Sequence, residues 1–307
     1  MAVITTNVAE RRSRVPTYDE EMGVPNAPRS SSRLTRRSFL KLSALAAGGL
    51  ALYAAEIARH ELSVEQHALH LPRLPEAFRG MRVVQISDFH YAEFSEGYFL
   101  RDMVERVNRL RPDMVLLTGD FVSFGPLPKS FARRHAAGCA EILSKIECPL
   151  RYAIMGNHDC SVGEKYVIGP LRENGIPVLL NQAVPLERGG QRLWLAGLDS
   201  ADQGKSRPEQ AIPRAGGEPV IVLAHEPDIL PEIAKYKADL VLSGHTHGGQ
   251  VRLPFLPPLV LPPLGKKYVQ GLFHYGDTQL YVNRGIGTVG LPIRLNCPPE
   301  ITVLTLT

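Results

Sequence analysis

Short, nearly unbroken apolar runs recur along the chain, separated by stretches of helical spacing and by polar turns. Arg82–Ser87, Met114–Thr118 and Arg151–Met155 each predict a strand that is apolar on both faces. Such strands belong to sheets buried between layers. Between them, Tyr98–Leu110 sets Leu100, Met103, Val104, Val107 and Leu110 at the spacing of an amphipathic helix, and Phe131–Ile146 predicts a second helix. Later runs predict strands at Leu193–Leu198, Val220–Ala224, Leu240–Ser243, Gln250–Leu253, Gln279–Asn283 and Ile301–Leu306. That half has fewer helices and more hairpin-like spacing, which implies a second sheet packed on the first. The expected class is α/β, with two mixed sheets in one body over residues 71–307. Pro72, Pro75 and Gly80 mark its lead-in.

The N-terminal stretch follows other rules. Residues 1–33 are rich in Pro, Ser, Asn and Arg without periodicity, and read as a disordered leader. Residues 34–58 carry Arg36-Arg37-Ser38-Phe39-Leu40-Lys41 and then an apolar run from Leu42 to Ala55. This resembles a twin-arginine export signal, cleaved or kept as an N-terminal anchor. The apolar run is shorter than the ~20 residues of a transmembrane helix. The expected partner is the twin-arginine export machinery, and the expected location lies outside the cytoplasmic membrane, in a periplasmic or equivalent space. Met22 is an alternative start to Met1.

Charge changes the picture once it is located. The net charge is +4, and residues 1–60 hold nine Lys or Arg against five Asp or Glu, so they carry all of it. A neutral body offers no global footprint for a long nucleic acid. Cys139, Cys148, Cys160 and Cys297 show no paired metal-knuckle spacing and read as small, mostly buried thiols.

Five polar clusters follow the apolar runs: Asp88-Phe89-His90, Gly119-Asp120, Gly156-Asn157-His158-Asp159, Ala224-His225-Glu226 and Gly244-His245-Thr246-His247. The C-terminal edge of such strands is where α/β sheets gather ligands. A lone His after a strand is usually just a hydrogen-bonded polar residue, but five clusters in register supply enough ligands for two metal ions. Imidazole with carboxylate suits Mn, Fe or Zn better than Ca or Mg. Gly119, Gly156 and Gly244 are expected to let the backbone turn tightly beside the metals.

In order and spacing these clusters closely resemble the calcineurin-like metallophosphoesterases over roughly Met81–Gln250. The leader, the Gly-His-Thr-His-Gly-Gly-Gln string and the ending Asn296-Cys297-Pro298-Pro299-Glu300-Ile301-Thr302 resemble their exported bacterial phosphodiesterase branch. The resemblance implies a four-layer α/β/β/α sandwich and two divalent transition-metal ions, with manganese the metal for assay. One ion would be held by Asp88, His90, Asp120 and His247. The other would be held by Asp120, Asn157, His225 and His245, with Asp120 bridging. It further implies hydrolysis by a metal-bridging hydroxide, with His158 protonating the leaving group and Asp159 supporting the site from behind.

One departure from the superfamily bears on substrate. Its protein phosphatases follow Gly-Asp with an acid that orients the catalytic His and an arginine that grips phosphate. Here Ser123 and Phe124 stand in those places. The orienting partner of His158 is therefore missing from the sequence, and the loss of the arginine favours diesters or pyrophosphates over monoesters. The loop from Pro254 to Lys267 has too many prolines for a helix or central strand. It reads either as packing on the body or as an apolar wall for a lipid-linked envelope substrate or a membrane contact. A nuclease or cyclic-nucleotide phosphodiesterase is the alternative enzyme, and a non-catalytic metal-bearing scaffold the alternative class. Tyr91–Phe99 and Asp199–Arg214 are expected rims of the site.

Overall fold

The computed structural model of the chain describes residues 35–91, 94–125, 127–214 and 216–307. The leader expected over residues 1–33, with its alternative start at Met22, lies outside the described residues. The chain divides into two units, Met1–Ala46 and Ala47–Thr307. In the first, Thr35 Oγ1 accepts from the Ser38 N–H at 3.1 Å, capping helix α1, Arg36–Leu52. No residue of α1 is buried. The chain stays helical through to His60, a run of 25 residues that is long and apolar enough to cross a membrane, a test that a signal sequence also passes. It exceeds the expected apolar run because polar residues at both ends, Arg36 to Lys41 and Glu56 to His60, join the helix.

Among the described residues, eleven strands of the second unit form two mixed sheets. They are β1 (Ser63–Leu69), β2 (Arg82–Ile86), β3 (Met114–Leu117), β4 (Arg151–Ala153), β5 (Gln182–Arg188), β6 (Gln191–Gly197), β7 (Val220–Leu223), β8 (Leu240–Ser243), β9 (Gly271–Tyr275), β10 (Thr278–Val282) and β11 (Glu300–Leu306). One sheet has the order β1-β11-β2-β3-β4 and the other β5-β6-β7-β8-β10-β9. Strands β2, β3 and β4 run parallel, as do β6, β7, β8 and β10. The sheet therefore starts at β1, ahead of the expected lead-in at Leu71. The expected strand Gln250–Leu253 is only a single bridge between Val251 and Leu295, since Pro254 follows at once and ends any ladder.

Alternation along the strands builds three apolar layers. Val84 and Ile86, Val115 and Leu117 face one core with α2 (Gly97–Leu110), α3 (Lys129–Leu143), α4 (Asn157–Val162) and α5 (Lys165–Glu173). Val83, Met114 and Leu116 face the opposite way, into a core shared with Leu195, Leu223, Leu240 and Leu242 of the second sheet. Val222, Val241 and Leu280 turn outward against α6 (Pro208–Ala211) and α7 (Leu230–Ala234). The result is the four-layer α/β/β/α sandwich. Truncating a residue such as Leu116, fully buried between the sheets, removes packing worth roughly 2–5 kcal/mol.

Candidate metal centre

All five clusters begin where a strand ends: after Ile86, Leu117, Ala153, Leu223 and Ser243. Parallel strands end on one edge, so loops far apart in sequence converge. The two sheets join there as well. Gln85 Nε2 donates to Ser243 O at 2.9 Å, and the His245 N–H donates to both carboxylate oxygens of Asp88 at 3.0 Å.

The backbone is strained to aim the side chains. Asp88, His90, Asp120, His245 and His247 hold φ of 53°, 43°, 56°, 73° and 51°. Each such residue outside glycine costs roughly 1–3 kcal/mol, and this kind of strain gathers at functional sites. Of the three glycines expected to turn the backbone, only Gly119 does so with a positive φ, 94°; Gly156 and Gly244 make room by lacking a Cβ. A Cβ on Gly156 would lie 2.0 Å from Asp120 Oδ1, and one on Gly244 would lie 2.0 Å from Ser87 Oγ.

Asp88, His90 and His247 form one group able to hold a metal ion, and Asp120, His225 and His245 form another. His90, Asp120 and His158 make a third that lies across the two. In each group the donor atoms lie within 4.8 Å of one another. Asn157 belongs with the second, its Oδ1 3.0 Å from His245 Nδ1. The structure thus brings together all seven residues expected as ligands, with Asp120 between the two sets.

The donor set fits cations. His225 Nδ1 bonds Thr118 O at 2.6 Å, which puts the ring proton on that nitrogen. Its Nε2 is buried, makes no hydrogen bond, and faces Asp120 Oδ2 at 3.2 Å. Likewise His245 Nε2 bonds Pro263 O at 2.7 Å, so Nδ1 turns a lone pair toward Asn157 Oδ1. His90 Nε2 and His247 Nε2 approach to 2.9 Å. Lone pairs facing lone pairs in a buried site call for positive charge between them. Charge already biases the groups this way. Burial would raise the carboxyls of Asp88 and Asp120, but the imidazoles beside them hold both below the usual carboxylate range. Burial, reinforced by His247 and His158, pushes His90 down to its neutral, ligating form.

His158 sits half-buried on α4, and its N–H donates to Asp120 Oδ1 at 2.9 Å. Its Nδ1 accepts from the Phe124 N–H at 3.3 Å, so the partner missing from the sequence is a backbone group. Ser123 does not take the place of the acid, since its Oγ is buried without a partner. Asp159 accepts four backbone N–H bonds, from Gly156, Asp120, Phe121 and Val122, and so ties two ligand loops together. Glu226 points away from the ligands and holds the neighbouring loop through Ser200 Oγ and the Ala201 and Asp202 N–H groups.

Sequence reasoning also missed the segment after β10. There Gly285 packs against Asp88, and the fully buried guanidinium of Arg294 reaches the Arg284, Gly285, Gly287 and Cys297 carbonyls. The only signal was a pair of glycines around Ile286.

A cavity of about 490 Å³ opens beside the ligands. Asp120, Asn157, His158, His245 and His247 form its floor, with Val251, Leu259, Val260, Pro262, Val289, Leu291 and Ile293 among its walls. The Pro-rich loop is tied to the body through Pro263 and it walls the cavity. Neither Tyr91–Phe99 nor Asp199–Arg214 supplies any of the described lining residues.

Residues 81–249 match the calcineurin-like phosphoesterase family. An uncharacterised metallophosphoesterase of Bacillus subtilis, YkuE, is 34% identical over 89% of this chain and 98% of its own length. The Escherichia coli phosphodiesterase YaeI is 34% identical over 73% of this chain and 82% of its own. The Haemophilus influenzae NAD nucleotidase structure aligns with a TM-score of 0.47 at 16% identity, and the alignment covers 67% of this chain and 45% of that one.

Proposed function

The chain belongs to the calcineurin-like phosphoesterase family, and we propose that within it this chain hydrolyses phosphodiester or pyrophosphate bonds of a small or lipid-linked envelope substrate. The cavity carries this reading. Among its described lining residues there is no Lys or Arg, so nothing cationic from the chain grips a doubly charged monoester. Its walls are apolar, which suits a substrate with a hydrophobic arm. The name of the Escherichia coli relative points to diesters as well.

Asp88, His90, Asp120 and His247 would hold one divalent transition-metal ion, and Asp120, Asn157, His225 and His245 the other. Such a pair supplies an activated water at neutral pH and neutralises charge that builds on the phosphoryl oxygens. The chain's own residues do the rest. The Phe124 N–H occupies Nδ1 of His158, which leaves the imidazole proton on Nε2. Burial favours the neutral ring, so that N–H gives the departing oxygen a hydrogen bond and not its proton, and a preorganised donor of this kind accelerates such a step by roughly 10²–10³. Asp159 fixes the loops that carry Asp120 and Asn157, and Pro263 fixes the His245 ring. The paired Arg36 and Arg37 ahead of an apolar helix support twin-arginine export to a space outside the cytoplasmic membrane.

Turnover of bis(p-nitrophenyl) phosphate and of p-nitrophenyl phosphate, with Mn²⁺ and with chelator, tests the reading in wild type and His158→Ala. Diester cleavage should exceed monoester cleavage, require the metal and collapse in the variant. Faster monoester cleavage would sink the diester assignment. Metal binding without turnover of either ester would favour a scaffold.

A further inference from the structure

Large apolar side chains stand exposed at the mouth of the cavity and along the loop that walls it. Phe255 is 105% exposed, Val260 78%, Leu291 63% and Leu259 62%, and Leu256 is exposed beside them in sequence. Leu259, Val260 and Leu291 are both exposed and part of the cavity wall, so the cavity opens onto this patch. Phe255 holds φ at 64°, a strained backbone that presents its ring to solvent. Contiguous exposed apolar groups around a site mark an interaction surface.

Two further observations identify what covers it. The first is charge. Residues 250–267, which carry Phe255, Leu256, Leu259 and Val260, contain Arg252, Lys266 and Lys267 and no Asp or Glu, whereas Arg284 and Arg294 nearby are turned inward onto Glu65, Glu300 and buried carbonyls. One carboxylate lies near, Asp228, which accepts from the Lys266 and Lys267 N–H groups, and three cations against it around an apolar centre suit an anionic lipid surface.

The second is the helical run that ends at His60. Ala54 O accepts from the Arg294 N–H at 3.0 Å, which joins the end of that run to the segment carrying Leu291 and Ile293. Arg59 and His60 fasten it further, through Phe94 O and the carboxylate of Glu96. Leu50, Leu52 and Ile57 of the run are uncovered. The Ala47–His60 part of a run able to cross a membrane is therefore fastened to the segment that walls the cavity.

We propose that the patch of Phe255, Leu256, Leu259, Val260 and Leu291 is a membrane-docking surface that seats on an anionic lipid bilayer and sets the cavity mouth at headgroup depth. In that position a lipid phosphoester reaches the metal ligands without leaving the bilayer, while its tail lies along the apolar wall. The surface goes beyond the proposed hydrolysis and stands independently of it.

The chain has one tryptophan, Trp194 in β6, so Phe255→Trp adds a reporter against a known background. The full-length variant is mixed with phosphatidylcholine–phosphatidylglycerol vesicles carrying brominated acyl chains, and wild type gives the Trp194 signal. The added emission should shift to the blue and be quenched several-fold more than Trp194. Val260→Trp, also on an exposed residue, should behave alike. Sedimentation with vesicles while both reporters stay unquenched would mean that the helix alone holds the chain, and would overturn the proposal. Self-association without lipid that Phe255→Asp abolishes would overturn it too, by giving the patch to a second copy. The readout needs no turnover, so it separates this surface from the hydrolase assignment.

Discussion

The backbone N–H of Phe124 donates to Nδ1 of His158 at 3.3 Å, and the two rings lie with centroids 4.9 Å apart. A main-chain donor differs from a carboxylate partner in one respect. It keeps Nδ1 unprotonated and places the proton on Nε2. Phe124→Ala retains the N–H and should lower kcat for bis(p-nitrophenyl) phosphate by less than about tenfold. Phe124→Pro removes the donor and should lower it by about 10², at the lower end of what one preorganised hydrogen-bond donor contributes. Thermal unfolding of both variants separates loss of orientation from loss of fold. A Pro variant that unfolds like wild type and turns over normally would show that the bond does not orient His158.

Asp159 is buried among four backbone donors. Burial and the neighbouring Asp120 push its carboxyl up to about 8, while the donors from Gly156 and Val122 pull it down. Asp159→Asn replaces one acceptor oxygen with an NH₂ that meets donors head-on. The buried donors left without an acceptor should destabilise the body by about 3 kcal/mol and lower Tm by roughly 6–12 °C. An unchanged melting curve would mean that the four bonds contribute nothing net.

The ligands were legible because apolar strands and polar loops alternate sharply in this chain. Asp88 and His90, Asp120, His225, and His245 with His247 each come within four residues of a strand that is almost wholly buried. The missed strands have a common cause. β1, β5 and β9 are all sheet edges. β1 alternates half-covered Ser63, Glu65 and His67 with exposed neighbours, β5 carries Pro185, and β9 is mostly exposed. An edge needs little burial, so its sequence carries little periodic signal. The partner of His158 was invisible for another reason. Every residue except proline has an N–H, so a main-chain donor leaves no trace in residue type.

A methyl group at Gly244 would place its carbon 2.0 Å from Ser87 Oγ and 2.3 Å from Asp88 Oδ2. Asp88 anchors one ligand set and takes the His245 N–H, so Gly244→Ala should displace ligands of both sets. Metal content measured on purified protein should fall well below that of wild type. Chelation should then lower the Tm of wild type by more than that of the variant, because only wild type has bound metal to lose. Saturating metal at about 100 times its dissociation constant stabilises by about 2.7 kcal/mol. Equal metal content in the two proteins would mean that the loop shifts without cost.

Glu96 holds the end of the N-terminal helical run through Arg59 Nη2 at 2.6 Å and His60 Nε2 at 3.0 Å, and Tyr98 Oη meets the same His60 nitrogen at 3.1 Å. Burial alone would raise its carboxyl, but the bonds from His60, its own N–H and Arg59 hold it below the ordinary value of 4.5. A carboxyl lowered in the folded state adds stability above its unfolded pKa, and loses it as pH falls through the folded one. The fastening should therefore be whole at neutral pH and fail below about pH 4.5. Glu96→Gln mimics the protonated state at every pH. At pH 7.5 trypsin should cut after Arg59 several-fold faster in this variant than in wild type. The difference in Tm between the two proteins should be constant above pH 5 and shrink toward zero as the pH falls from 4.5 through the folded-state pKa. A difference that persists at pH 3 would show that the contribution of Glu96 is packing, not charge.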